Sequence, residues 1–242
     1  YMATKLCSPA EVDLATSRRS LLLVWQNPDS RRFIKVGQLD VLADGRFAFR
    51  YLPAALADSQ SPKLDEYPDR DAVYVSDDLP VFFSNRIMSA DRPSYGRYLR
   101  WLGVEAIEAA ELPIEVLART GGQRVTDTFH IVDLPEHFEA SFSSRFFVSG
   151  IRHIAGVDIL LAALEPGAAL SLQLEEANQV NPKAVLINTA KGQRIGYVPD
   201  WLCGDVHDLI KAGWSVTAAA EQVNPDAPAH VRVLCRIDAQ CL

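Results

Sequence analysis

The chain of 242 residues has no apolar run near the roughly 20 residues that span a bilayer. The longest apolar stretch, Ile154 to Leu164, is short and carries Asp158 in its middle. Cysteine is sparse: Cys7, Cys203, Cys235 and Cys241 share no CxxC spacing, which argues against a disulfide framework and for reduced thiols. The N-terminus has no charged-then-apolar leader pattern, and Tyr1 precedes Met2, which reads as the native start. A cytoplasmic location is the expectation. Glycine (13) and proline (14) stand near average usage, excluding collagenous and low-complexity chains, and 48% hydrophobic content excludes a disordered one. Positive charge is in deficit, with 24 Lys and Arg against 31 Asp and Glu and a net charge of −7. That balance disfavours a basic nucleic-acid wrapper, although a local patch is still able to bind. The familiar catalytic signatures are missing too: no GxxxxGK[ST] phosphate loop, GxGxxG turn, GxSxG elbow, HExxH helix, HRD loop or DFG. The sequence therefore points away from an enzyme and names no cofactor.

What is present divides near residue 140. Residues 1–144 carry 16 basic and 21 acidic residues, and residues 145–242 carry 8 and 10, so charge does not separate the halves. Thr126 to Phe147 contains Pro135, Ser141, Ser143 and Ser144 and reads as a linker, giving domains at 1–140 and 145–242. In the first half, Ser20 to Trp25 and Phe33 to Leu42 read as strands. Asp44-Gly45 marks a hairpin leading to Arg46–Tyr51, with Phe47, Phe49 and Tyr51 on one face. Residues 53–72, rich in Pro, Ser and Asp, read as a loop. Helical spacing follows at Leu79–Ile87, Ser94–Leu102 and Leu112–Ala118, with Asp78 and Ser94 as N-caps and Gly103 and Gly121 as stops.

In the second half, strands are expected at Arg145–Gly150, Ala169–Leu174, Ala184–Asn188, Arg194–Val198, Trp214–Ala220 and His230–Ile237. A hairpin turns at Lys191-Gly192, and a helix begins near Asp200 and ends at Gly213. Short strands with one clear helix predict a small closed or half-closed barrel, so the fold class is α+β in two domains.

Two side-chain groupings invite chemistry. Cys203 and His207, four apart on the expected helix, share a face, but the two further ligands that zinc wants show no matching spacing. No metal site is assigned. Asp127 and His130 lie near Thr128, yet residues three apart on a strand point to opposite faces, which favours structural roles.

Val36–Leu39, Phe47–Tyr51, Val81–Gly103 and Leu117–Asp133 together resemble the N-terminal subdomain of HipA-type proteins, over roughly residues 20–133. In that family a small β-rich unit precedes a serine/threonine kinase, which this chain lacks after residue 140. The resemblance implies a detached accessory unit that docks a protein partner, an antitoxin-like role.

The second half resembles a HIRAN domain, a modified OB-type barrel with flanking helices. The carrying residues are Phe147–His153, Pro166-Gly167, Leu174–Asn178, Asn181–Val185 and Gly192–Pro199. The resemblance implies binding of single-stranded DNA, and in some relatives of its 3′ end, with Arg152 meeting phosphate and His153 stacking on a base. Asn178, Asn181, Lys183, Arg194 and Tyr197 complete the implied nucleic-acid-binding set. Where the family pattern reads Asn-Pro-Tyr-Asp, this chain has Asn178-Gln179-Val180-Asn181, so an aromatic and a carboxylate are replaced. Val180 cannot supply the roughly 1–3 kcal/mol of a stacked base, and an amide accepts a hydrogen bond more weakly than a carboxylate.

Each residue also has a structural reading. Arg152 serves as a solvated strand-end charge; Asn178 and Asn181 cap a loop; Tyr197 packs the barrel with its hydroxyl at the rim. Arg194 sits on a solvated hairpin, and Trp201 and Trp214 are core lids. The first functional reading is a non-catalytic binder of single-stranded DNA or DNA ends with an N-terminal docking domain. The alternative is an antitoxin-like interaction regulator.

Overall fold

The computed structural model describes residues 5–7, 12, 14, 16–122, 124, 126–138 and 140–241. Tyr1, Met2, Gln123, Val125 and Glu139 of the segments named above lie outside the described residues, as does the Cys7 side chain. The chain forms two units, one comprising Tyr1–Tyr95 and Ile107–Leu134 and the other Gly96–Ala106 and Pro135–Leu242.

In the first unit, β1 (Lys5–Cys7), β2 (Arg19–Gln26), β3 (Phe33–Val41) and β4 (Phe47–Tyr51) are followed by the short α1 (Pro53–Ala57) and β5 (Val73–Ser76). Then come α2 (Val81–Ser84), α3 (Tyr95–Leu102), α4 (Leu112–Thr120) and β6 (Phe129–Asp133), with α3 in the second unit from Gly96 onward. The strands form one antiparallel sheet in the order β1-β5-β4-β3-β2-β6. The turn at Asp44-Gly45 forms as its residues predict: Gly45 takes φ 89°, the Asp44 carboxylate accepts the Arg46 N–H at 3.0 Å, and Val41 pairs with Phe47. Phe49 and Tyr51 are buried and Phe47 half-buried. Gly37 is required on β3, because a Cβ there would lie 2.6 Å from the Phe49 ring. Leu21, Leu23, Leu39, Phe49, Leu117 and Ile131 share the core.

Two first-half expectations need correction. The stretch 53–72 is not simply loop: it holds α1 and delivers Leu64 and Tyr67 to the core. The Tyr51 hydroxyl donates to the Tyr67 carbonyl and accepts from the Leu64 N–H, each at 3.0 Å, so tertiary bonds supply the order that local periodicity does not show. The helix expected over 79–87 shrinks to α2, with Pro80 and not Asp78 at its N-cap position. Ser76 instead donates to the Asp78 carbonyl at 2.8 Å.

The second unit continues with β7 (Glu136–Phe138), β8 (Ser141–Phe147), a 3₁₀ turn at Ile151–His153, α5 (Val157–Ala162) and β9 (Ala169–Leu174). After these come β10 (Val185–Thr189), β11 (Arg194–Tyr197), α6 (Asp200–Lys211), β12 (Ser215–Val223), a 3₁₀ turn at Ala229–Val231 and β13 (Val233–Gln240). Seven strands run in the order β11-β10-β9-β12-β13-β8-β7. The serine-rich stretch read as linker is instead the β7–β8 hairpin. Phe142, Ser144 and Phe146 turn inward while Ser141, Ser143 and Arg145 turn outward, an alternation that a buried serine disguises. The closing strands also shift, to Ser215–Val223 and Val233–Gln240.

The sheet curls into a half-barrel because the chain after β8 changes partner. The Val148 N–H donates to Val233 on β13, whereas Ser149 exchanges both backbone bonds with Tyr197 on β11, each at 2.9 Å. Gly196 permits this seam: a Cβ there would lie 2.4 Å from Val148 Cγ1 and 2.5 Å from the Ser149 carbonyl oxygen. Inside lie Phe142, Phe146, Ile151, Ile187, Leu202 and Ile237, and Trp201 and Trp214 pack against this core as lids.

Candidate nucleic-acid interface

The barrel seam sets one side of the site. Gly150, in the left-handed conformation (φ 73°), opens the 3₁₀ turn, and a Cβ there would sit 3.3 Å from Cδ2 of Tyr197. Ile151 anchors the turn in the core, leaving Arg152 and His153 exposed. The Arg152 Nε donates to His153 Nε2 at 3.0 Å, and Arg152 makes no ion pair among the described residues.

The loop after β9 sets the other side, and its organiser is Glu175. This carboxylate accepts from Asn178 Nδ2 at 2.7 Å, from the Tyr197 hydroxyl at 3.0 Å and from Arg194 Nη2 at 3.1 Å. These donors, the Asn178 amide foremost, hold the Glu175 carboxyl below its ordinary pKa. Partial burial, then the bond to Glu175, push the Tyr197 phenol upward. The Arg194 guanidinium lies 5.8 Å from the Tyr197 ring centroid. The strand register prepares this convergence: Leu186 on β10 pairs with both Gln173 and Tyr197, so Glu175 leaves β9 close to the β11 side chains.

Asn178 and Asn181 act as loop caps. The Asn178 Oδ1 accepts the Val180 and Asn181 N–H groups at 3.0 and 3.1 Å, and the Asn181 Oδ1 accepts the Lys183 N–H at 2.9 Å. The Asn181 amide also donates to the Asp200 carboxylate and to Cys203 Sγ, fastening the loop to the start of α6. Lys183 Nζ bonds both oxygens of Asp208, at 2.7 and 2.8 Å, and holds that carboxyl below its usual range. At the loop tip Val180 is 92% exposed.

A continuous set of contacts thus joins Arg194, Tyr197, Glu175, Asn178, Asn181 and Lys183, with Arg152 and His153 alongside through the Gly150–Tyr197 contact. Sequence reasoning missed the roles of Glu175, Asp200 and Asp208. Glu175 stood in the Leu174–Asn178 run, but its position just past a strand end did not disclose three simultaneous donors. Of the candidate cations, Lys183 and Arg194 are already matched by carboxylates, and among the described residues Arg152 is not.

Cys203 is a buried thiol pushed up to about 11, chiefly by burial, that donates to the Asp200 carbonyl at 3.2 Å. The His207 ring pairs with Asp208. Among the described residues no three His, Cys, Asp or Glu side chains gather as metal ligands would. Asp127 is taken by the buried Arg86, at 2.8 and 3.1 Å, and His130 stands edge-on to Phe33, in keeping with structural roles.

Residues 141–241 match the family described as the HIRAN domain. No curated protein matches the chain. Among solved structures, a protein from Lactobacillus plantarum aligns at 18% identity and TM-score 0.35, covering 41% of this chain and 90% of that one. The HIRAN domain of human HLTF aligns at 17% identity and TM-score 0.34, covering 42% of this chain and 81% of that one. The likeness of residues 20–133 to HipA-type proteins gains no support from these matches. No helix among the described residues is long and apolar enough to cross a membrane.

Proposed function

We propose that the HIRAN domain at residues 141–241 binds single-stranded DNA, at or near a strand end, without catalysing a reaction on it. The observation that carries this reading is the family match, and the grouping of Arg152, His153 and Tyr197 around Gly150 gives it a chemistry. Arg152 offers an exposed guanidinium with no carboxylate partner among the described residues, able to meet a phosphate directly. His153 and the Tyr197 ring offer π-faces for bases, and such stacking tolerates any sequence. Val180 adds an exposed apolar contact where the family pattern has an aromatic. The antitoxin-like reading, with the first unit docking a protein partner, rests on the HipA resemblance alone.

Fluorescence anisotropy with short labelled single strands, ending in a free or a blocked 3′ hydroxyl, tests the proposal. Saturable binding is expected at low salt, stronger for the free end. Arg152→Ala is expected to weaken it and to flatten the salt slope by about 0.7, the value of one single-strand phosphate contact. No binding at low salt overturns the reading. An unchanged slope in Arg152→Ala removes Arg152 from the site.

A further inference from the structure

Glu175 lies among the residues assigned to the ligand. Its Oε1 accepts from Arg194 Nη2 at 3.1 Å, while Oε2 accepts from both Tyr197 and Asn178. The Tyr197 hydroxyl in turn accepts from Arg194 Nη1 at 3.4 Å, so the guanidinium is held on two of its nitrogens. Glu175 Oε1 thus already gives the Arg194 guanidinium one charged oxygen of the kind a phosphate would bring. A carboxylate also pairs Lys183, whose ammonium bonds both oxygens of Asp208. Both pairs are partly exposed, with side-chain exposures of 45% and 27% for Arg194 and Glu175 and 48% and 60% for Lys183 and Asp208. Pairs so open to water contribute little to stability.

We propose that Glu175 is a specificity-determining residue of the candidate interface: its carboxylate occupies Arg194 as an internal anion, so that a phosphate reaches the guanidinium only by displacing it. Asp208 guards Lys183 in the same way. A lone anion must replace an equivalent bond and face the carboxylate it evicts, which gives no net gain. A DNA strand already held at Arg152 and on the rings brings its next phosphate at high effective concentration and makes the exchange. The site thereby rejects isolated phosphate and admits an extended strand. This inference rests on the nucleic-acid reading above, and the experiment separates the two.

The Arg194 side-chain Nε resonance is followed by NMR while inorganic phosphate is added to the wild type, Glu175→Gln and Asp208→Asn. The resonance is expected to stay still in the wild type and in Asp208→Asn and to move saturably in Glu175→Gln. Equal movement in wild type and Glu175→Gln, or none in either, overturns the internal-anion role whatever DNA does. In parallel, anisotropy with a short single strand is expected to show Glu175→Gln binding on the order of tenfold tighter, with a salt slope steeper by about 0.7. Adding Arg194→Ala is expected to abolish that gain, which a merely structural Glu175 would not produce. Should Glu175→Gln fail to fold, Asp208→Asn supplies the same comparison at the exposed Lys183, with its Nζ resonance as the readout and the same movement expected. Wild type that binds DNA alongside a Glu175→Gln that binds no tighter defeats the inference and leaves the DNA reading standing. Phosphate entering only Glu175→Gln, with no DNA bound by any variant, defeats the DNA reading and upholds the internal anion.

Discussion

At the scale of single residues, the strictest demand falls on Gly196. A methyl group there would press on the Ser149 carbonyl and the Val148 side chain, and the backbone oxygen is fixed by the seam itself. Gly196→Ala is expected to cost at least about 1–3 kcal/mol, the range for overpacking a tight site, read as a lowered urea midpoint. Two histidines add a pH dependence. Burial holds His130 and His230 below their ordinary pKa, so the unfolded chain takes up protons that the folded one refuses. Their contribution is complete above about pH 6.5 and is lost as pH falls below that unfolded-state value. The urea midpoint is expected to drop between pH 7.5 and 5.5, and His230→Gln to lessen the drop. An equal drop in that variant would clear His230.

At the scale of elements, Asn224 ties the segment Gly96–Ala106 into the second unit. Its Nδ2 donates to the Trp101 and Val231 carbonyls at 2.7 and 2.8 Å, and Gln222 Nε2 reaches the Arg100 carbonyl at 2.6 Å. Asn224→Ala strands two carbonyls and is expected to cost about 1–3 kcal/mol, with faster amide exchange over residues 96–106. Such long-range ties explain what could be read beforehand. The Asp44-Gly45 hairpin, β9, the β10–β11 hairpin and α6 were legible because each carries its own signal, a turn dipeptide, an alternation or a helical face. The β7–β8 hairpin was hidden because serines alternate with its phenylalanines and one serine faces the core. The 53–72 stretch was hidden because Tyr67 is placed by Tyr51, not by its neighbours. In the candidate interface, residue order named residues that lie near one another but not their pairings, since the Glu175 contacts with Arg194 and Tyr197 depend on strand register.

At the scale of the whole molecule, the net charge of −7 opposes the approach of any polyanion. With two of three site cations internally matched, few counterions are released on binding. The salt slope on single-stranded DNA is therefore expected near −0.7 to −1.4, corresponding to about one or two phosphate contacts. A duplex offering only phosphates is expected to bind negligibly at physiological salt, and a slope beyond about −3 in the wild type would show that cations elsewhere carry the affinity.

The exchange of partners between Val148 and Ser149 bears on when the interface comes into being. The seam joins elements far apart in the chain, so the docking of Gly150 against the Tyr197 ring is expected to form after the local hairpins. An unzipped intermediate would hold its sheet yet offer a strand nowhere to settle. DNA is therefore expected to slow unfolding without hastening refolding.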